Sequence, residues 1–281
     1  MNSKRCLYRK VNAFTAEGSI GNPAAYIILG DQDIPEQLMQ QVAKEHAGFV
    51  SELVFCSSSD IAAVKLTYFS AECEVDFCGH GTIATMSDLI ERNKALQDKS
   101  EVMIETNRKG VLKVYNELGT EGVVYITAPE AIWLDIPVTK SEIAEKIGIR
   151  EEDIPDEFKI EFIDAGLRTL IVPINTFEVE ISVYPNEHTL KEFCVQYGID
   201  IILIFNMKTK REKAFAHTRV FAPKYGYLED TATGSGNSAF AYYLRRFKLW
   251  DGSMIQIEQG GNKAVYNEVY LKADQDKILF G

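Results

Sequence analysis

The chain has 281 residues, 46% of them hydrophobic and 25% charged, with a formal net charge of −11. That composition excludes a disordered chain, and an acidic balance with no Lys/Arg-rich block excludes a nucleic-acid backbone as the main partner. No run reaches the roughly 18 apolar residues a membrane span needs. The cysteines (Cys6, Cys56, Cys73, Cys78 and Cys194) are odd in number and keep no C-x-x-C or Cys/His spacing, the pattern of reduced thiols without structural zinc or another metal. Met1-Asn2-Ser3-Lys4-Arg5 leads straight into a strand-like segment with no apolar signal core, so the expectation is a soluble, cytoplasmic protein.

The first half opens on Val11-Asn12-Ala13-Phe14 and an apolar run over residues 24–29. A helical pattern over 38–48 then stops at Gly48. Residues 52–56 and 64–70 read as strands, the second alternating apolar and polar as a half-buried strand does. Next comes Asp76-Phe77-Cys78-Gly79-His80-Gly81-Thr82-Ile83-Ala84, a polar Gly-x-Gly turn feeding a helix predicted from Thr82 to about Arg92. Strands are predicted over 101–105, 111–115 and 123–127. The boundary falls near 129–160, where Pro129, Pro137, Pro155 and Glu151-Glu152-Asp153 cluster around a small helix at 141–148.

The same order then returns. Residues 163–166 precede an apolar run over 169–174, a helical pattern over 190–198 ends at Gly198, and strands are predicted over 201–205 and 218–223. The second turn is Thr231-Ala232-Thr233-Gly234-Ser235-Gly236-Asn237-Ser238-Ala239, leading into a helix from Asn237 to about Phe247 and strands over 254–258 and 265–271. Gly79 and Gly234 are 155 residues apart, and at that offset Cys78 meets Thr233, His80 meets Ser235, Gly81 meets Gly236 and Thr82 meets Asn237. The chain therefore reads as a duplication, with halves 1–128 and 129–281. Each glycine turn has the form of a helix N-terminus prepared for an anion: free N–H groups, no Cβ in the way, and the positive end of the helix dipole. Strands adjacent in sequence predict mixed or antiparallel sheets. A Rossmann-type sheet is disfavoured, because no G-x-G-x-x-G follows a first strand.

Phe14-Thr15-Ala16-Glu17-Gly18-Ser19-Ile20-Gly21-Asn22-Pro23-Ala24-Ala25 resembles the opening of the phenazine-biosynthesis PhzF-like proteins. So do Ser51-Glu52, the 76–84 block, and Phe221-Ala222-Pro223 leading to Glu229-Asp230-Thr231-Ala232-Thr233-Gly234-Ser235. The resemblance runs along nearly the whole chain. It implies an α+β, diaminopimelate-epimerase-like fold: two pseudo-symmetric halves, each a barrel-like sheet around a central helix, with the site in the cleft between them. It also implies cofactor-independent proton transfer on a small carboxylic acid, often by a homodimer. Two departures stand out. Lys263-Ala264-Val265-Tyr266 follows Glu258-Gln259-Gly260-Gly261 where the family commonly has Arg-Pro-Ser, and Thr231 replaces the proline of Asp-Pro-Ala-Thr-Gly. The first is where substrate preference is expected to diverge.

Glu52 is the candidate general acid/base, on the family position of its catalytic glutamate. A carboxylate at the edge of an enclosed site can take and return a proton near neutral pH, and the alternative is a solvated Glu at a strand end. His80, between two glycines, is a candidate proton relay or ligand to the substrate, or else a helix-capping histidine. Asp230 is expected to orient His80 or a polar group of the substrate, or to be an ordinary turn aspartate. Gly79, Gly81, Gly234, Ser235 and Gly236 are candidate substrate-binding positions, and Asn22 a weaker one that turn chemistry alone explains. His46, His188 and His217 read as surface or packing residues.

Two-base epimerases of this fold carry a cysteine before each glycine turn. Here Thr233 faces Cys78, and a threonine hydroxyl is no base near neutral pH without an activating group. Inversion by paired thiols is therefore disfavoured, and Cys78 reads as a small buried residue. The expected function is an isomerase moving a proton by a single carboxylate. A racemase or epimerase of the same fold and a non-catalytic binder of small metabolites remain the alternatives.

Overall fold

The computed structural model describes residues 5–261 and 265–281. The chain divides into two compact units. One holds the segment up to Ala13 and Ile20–Thr127, the other Phe14–Ser19 and Ala128–Phe280.

The first unit contains β1 (Leu7–Ala13), β2 (Asn22–Gly30), α1 (Glu36–Glu45), β3 (Glu52–Ser57), β4 (Val64–Ser70), β5 (Glu74–Val75), α2 (Gly79–Arg92), α3 (Lys94–Gln97), β6 (Glu101–Thr106), β7 (Gly110–Glu117) and β8 (Val123–Thr127). Its strands pair in the order β1-β2-β3-β4-β6-β7-β8, with β5 folded back on β4. The pairs β2–β3 and β4–β6 are parallel and the rest antiparallel, so the sheet is mixed. The two parallel pairs are those whose connections contain a helix, α1 in one and α2 in the other, as a parallel crossover requires.

The second unit contains β9 (Ile132–Leu134), α4 (Lys140–Ile147), β10 (Glu161–Asp164), β11 (Arg168–Pro173), α5 (Phe177–Ser182), α6 (Glu187–Tyr197), β12 (Ile201–Asn206), β13 (Ala214–Phe221), β14 (Glu229–Asp230), α7 (Gly234–Arg246), β15 (Ile255–Gln259), β16 (Asn267–Asp274) and β17 (Lys277–Phe280). The order β10-β11-β12-β13-β15-β16-β17 repeats that of β1 to β8, with parallel pairs at the same two places. β14 folds back on β13 as β5 does on β4, and β9 adds an antiparallel strand beside β10.

Each sheet wraps a helix. In α2 the run Gly81–Met86 is buried without a break, and α2 packs against β1, β2, β3 and β8. In α7 Gly236–Ala241 is likewise buried, and α7 packs against β10, β11, β12, β16 and β17. Burial on every face is the mark of a core helix rather than a surface one. α1 and α6 lie on the outer faces, where they cover smaller apolar clusters such as Ala25, Leu53, Phe55 and Phe69 under Ala43.

The structure corrects both central helix boundaries. α2 begins at Gly79, not Thr82, and α7 at Gly234, not Asn237, because Cys78 and Thr233 are the N-cap residues and the glycine turn is the first helical turn itself. α6 ends at Gly198, left-handed at φ 68°, as the sequence predicts. α1 stops earlier than predicted, at Glu45, with His46 as its cap. Among the described residues no helix is long and apolar enough to cross a membrane.

Candidate active site

β3 emerges at Glu52, its first residue, while Leu53–Cys56 behind it are buried. α2 emerges at Cys78–Gly79, and these two ends bring Glu52, Cys78 and His80 into one cluster. His80 Nε2 lies 3.2 Å from Glu52 Oε2, with side-chain exposures of 15% and 23%. The contact is at ion-pair distance but not aligned as a hydrogen bond, so Oε2, shielded from solvent, has no hydrogen-bond partner among the described residues. On the other side of the ring, His80 Nδ1 lies 3.5 Å from Cys78 Sγ.

Cys78 is more than a small buried residue. Its sulfur accepts the Gly81 N–H at 3.3 Å and so caps α2, in the place where serine or aspartate commonly stands. Its carbonyl accepts the Thr82 hydroxyl at 2.7 Å, and Thr82 Oγ1 in turn lies 2.7 Å from the Tyr68 hydroxyl. The N–H groups of Gly79 and His80 are those an α-helix leaves without an internal partner. They sit beside the cluster, at the positive end of the helix dipole.

Burial works against a charged imidazole, but the Cys78 sulfur and the Glu52 carboxylate outweigh it and hold His80 well above the ordinary histidine value. Burial likewise pushes the Cys78 thiol up, against the pull of His80.

The second turn is built differently. Asp230, at the end of β14, accepts the Thr233 hydroxyl at 2.6 Å. Gln259, fully buried on β15, accepts the Thr233 N–H at 2.9 Å and an Asn237 amide hydrogen at 2.7 Å, and donates to the Asp230 carbonyl at 3.0 Å. Asn237 also donates to the Thr233 carbonyl at 2.9 Å. Ser235 is partly exposed between Gly234 and Gly236, which are buried. Leu53 pairs with Phe69 as Ile202 pairs with Phe221, which puts Ile201 in the place of Glu52. The counterpart of Glu52, Cys78 and His80 is therefore Ile201, Thr233 and Ser235, with no side chain suited to proton transfer near neutral pH.

Asn22 begins β2, buried and paired with Ala13, so its side chain stands at a strand start rather than on an open turn. Lys263 and Ala264 lie outside the described residues. Tyr266 is buried, its ring 4.8 Å from that of His217. Sequence reasoning passed over Gln259 and Asn237 as site residues. The available signal was a polar pair, Glu258-Gln259, closing an otherwise strand-like segment. A buried amide there has to find partners, and the turn supplies them.

Residues 11–278 match the sequence profile of the family described as phenazine biosynthesis-like protein. The chain belongs to that family. It is 31% identical to the uncharacterized isomerase YfhB of Bacillus subtilis, over 89% of this chain and 85% of the relative. It is 26% identical to the trans-2,3-dihydro-3-hydroxyanthranilate isomerase of Pseudomonas aeruginosa, over 95% of this chain and 90% of that one. Among solved structures, the Bacillus anthracis phenazine biosynthesis protein of the PhzF family aligns with a TM-score of 0.85 at 26% identity, covering 99% of this chain and 95% of the other. A probable proline racemase from Agrobacterium radiobacter aligns with a TM-score of 0.59 at 12% identity, a likeness of fold alone. The protein is thus an isomerase-family enzyme with the α+β, diaminopimelate-epimerase-like architecture that its sequence implies.

Proposed function

We propose that this phenazine biosynthesis-like protein moves a proton between carbons of a small carboxylic acid, with Glu52 as the single acid/base. The observation that carries the reading is the Glu52–His80 contact of 3.2 Å at the N-terminus of α2. Glu52 takes a proton from one carbon and returns it to another, and the adjacent imidazolium offsets the charge that develops. Cys78 at Nδ1 and Glu52 at Nε2 fix the plane of the His80 ring. The N–H groups of Gly79 and His80 bind the carboxylate, favoured by the helix dipole.

The α7 turn, with Gly234, Ser235 and Gly236, is a binding element without an acid/base of its own. Asp230, bonded to Thr233, acts there as a positioning residue, and Asn22 has the lesser role of shaping the start of β2. The one-sided placement of the titratable groups supports a carboxylate shuttle over two-base racemisation, since Thr233 spends its hydroxyl on Asp230.

The test is proton NMR in D2O against a panel of small cyclic and amino carboxylic acids that includes trans-2,3-dihydro-3-hydroxyanthranilate. Wild-type protein is expected to place deuterium on one substrate carbon. Glu52→Gln should lower the exchange rate by about 10³-fold or more, within the range of lost general acid/base catalysis, while ligand binding persists. Full exchange in Glu52→Gln would refute the assignment.

A further inference from the structure

The first unit holds a cavity of about 520 Å3 at the C-terminal end of α2, bounded by β1, β2, the end of β3 and α3. α2 has 14 residues, so this end lies about 20 Å from Cys78 and His80. A space of that size takes a small organic ligand. Arg9, Arg92 and Lys94 line it, together with the apolar side chains of Leu7, Ile28 and Leu89, and no Asp or Glu does. The lining is thus basic in a chain whose net charge is −11. Asp88, beside the cavity, accepts the Tyr26 hydroxyl at 2.5 Å and Arg92 Nε at 2.9 Å. That anchors the Arg92 guanidinium and leaves its terminal amino groups without a hydrogen-bond partner among the described residues. Arg9 Nε stands 3.7 Å from Asp88 Oδ2, beyond hydrogen-bond reach, and is shielded from solvent with no partner among the described residues. Lys94, exposed at the start of α3, enters no ion pair among them. Asp88 offsets one of the three positive charges, and the other two remain. The negative end of the α2 dipole opposes an anion here, but it amounts to about half a charge.

The fold itself does not require this lining. At the offset of 155 that aligns the two glycine turns, Asp88 corresponds to Tyr243 and Arg92 to Phe247. Strand register sets Glu161 at the place of Arg9, since Arg9 pairs with Tyr26 as Glu161 pairs with Ile171. In the second unit these helix positions are filled by aromatic packing. Tyr243 is fully buried, its ring 4.7 Å from that of Phe247 and 5.4 Å from that of Phe205, and its hydroxyl donates to the Lys159 carbonyl at 3.0 Å. The same end of the duplicated fold is therefore packed with rings in one unit and set with cations around a space in the other.

We propose that this cavity binds a small organic anion, a carboxylate on an apolar body, at a site separate from Glu52 and His80. Arg92 and Arg9 offer the carboxylate paired N–H donors, and the Lys94 ammonium adds its charge. The body lies along Leu7, Ile28 and Leu89, which selects an organic acid over inorganic phosphate. The assignment does not depend on the chemistry proposed for Glu52.

The experiment is a fluorine NMR titration of the full chain with 4-(trifluoromethyl)phenylacetate, and in parallel with its neutral amide. The acid is expected to bind, less tightly as salt is raised, and the amide to bind about tenfold or more weakly. Arg92→Gln/Lys94→Gln, at two exposed positions where the fold is not at risk, should weaken the acid by about tenfold or more, and Lys94→Gln alone by a smaller factor. Inorganic phosphate should displace the probe poorly. A probe held instead at the N-terminal end of α2 would be indifferent to Arg92→Gln/Lys94→Gln, and that result would overturn the proposal. So would equal binding of acid and amide, ready displacement by phosphate, or no binding at millimolar probe.

Discussion

Gly234 has no room for a side chain. A Cβ there would lie well inside contact distance of the Phe280 ring and 3.1 Å from that of Phe14, both buried. Gly234→Ala is therefore expected to cost about 1–3 kcal/mol as overpacking, more than the roughly 1 kcal/mol that alanine gains over glycine within a helix. At Gly81 the nearest atoms to a Cβ are Cys78 Sγ at 3.0 Å and Val54 Cγ2 at 3.1 Å, so Gly81→Ala should come nearer to neutral. Urea midpoints of the two variants check the contrast, and equal losses would contradict it. The Gly-x-Gly pattern was legible as a pair of special turns. Its cause was not, since the glycines lie inside the helices and Gly234 is required by Phe280 and Phe14, far away in sequence. The same holds for Glu52: the residue stood out by its place in a motif, but its contact with His80 exists only because β3 and α2 end side by side.

At the scale of the elements, the N-terminus of α7 depends on a residue from another strand. Gln259 satisfies the Thr233 N–H, an Asn237 amide hydrogen and the Asp230 carbonyl, all close to the helix start. Gln259→Ala leaves three buried or partly buried groups without that partner, and a loss of about 3 kcal/mol is expected, at 1–3 kcal/mol for each group fully stranded. Hydrogen exchange should show the first turn of α7 opening before the rest of that helix, and uniform protection would contradict the assignment. The neighbouring β14 is held by Arg219, whose guanidinium donates to Glu229 at 2.9 Å and to the carbonyls of Glu180 and Val183 at 2.7 Å. Element order and type were readable from hydrophobic period and helix-stopping glycines, and most strands fall within a residue or two of prediction. The short pieces, α3, β5, β9, β14, α5 and β17, were not, because a strand of two to four residues or a helix of four to six shows no periodicity of its own.

For the molecule as a whole, a fully buried carboxyl away from the proposed chemistry links stability to pH. Glu180 lies 3.0 Å from His217 Nδ1 with both side chains fully buried, near Arg219 and Glu258. Burial outweighs the opposing pull of His217 and raises the Glu180 carboxyl from 4.5 to about 7. The folded protein therefore holds a proton there that the unfolded chain releases. The stability this proton confers is fully present below pH 4.5 and is lost as pH rises towards about 7. Urea unfolding across that window should show wild-type stability falling with pH, and Glu180→Gln should lack this part of the slope. Parallel profiles would refute it.

The duplication, the α+β character and the two helix N-termini follow from sequence alone, because each is written in local period, turn residues and a repeat offset. Tertiary structure decided which titratable groups meet. Ion pairs such as Glu52 with His80, and amide networks such as that of Gln259, form between residues brought together only by strand pairing and helix burial, which no local pattern encodes.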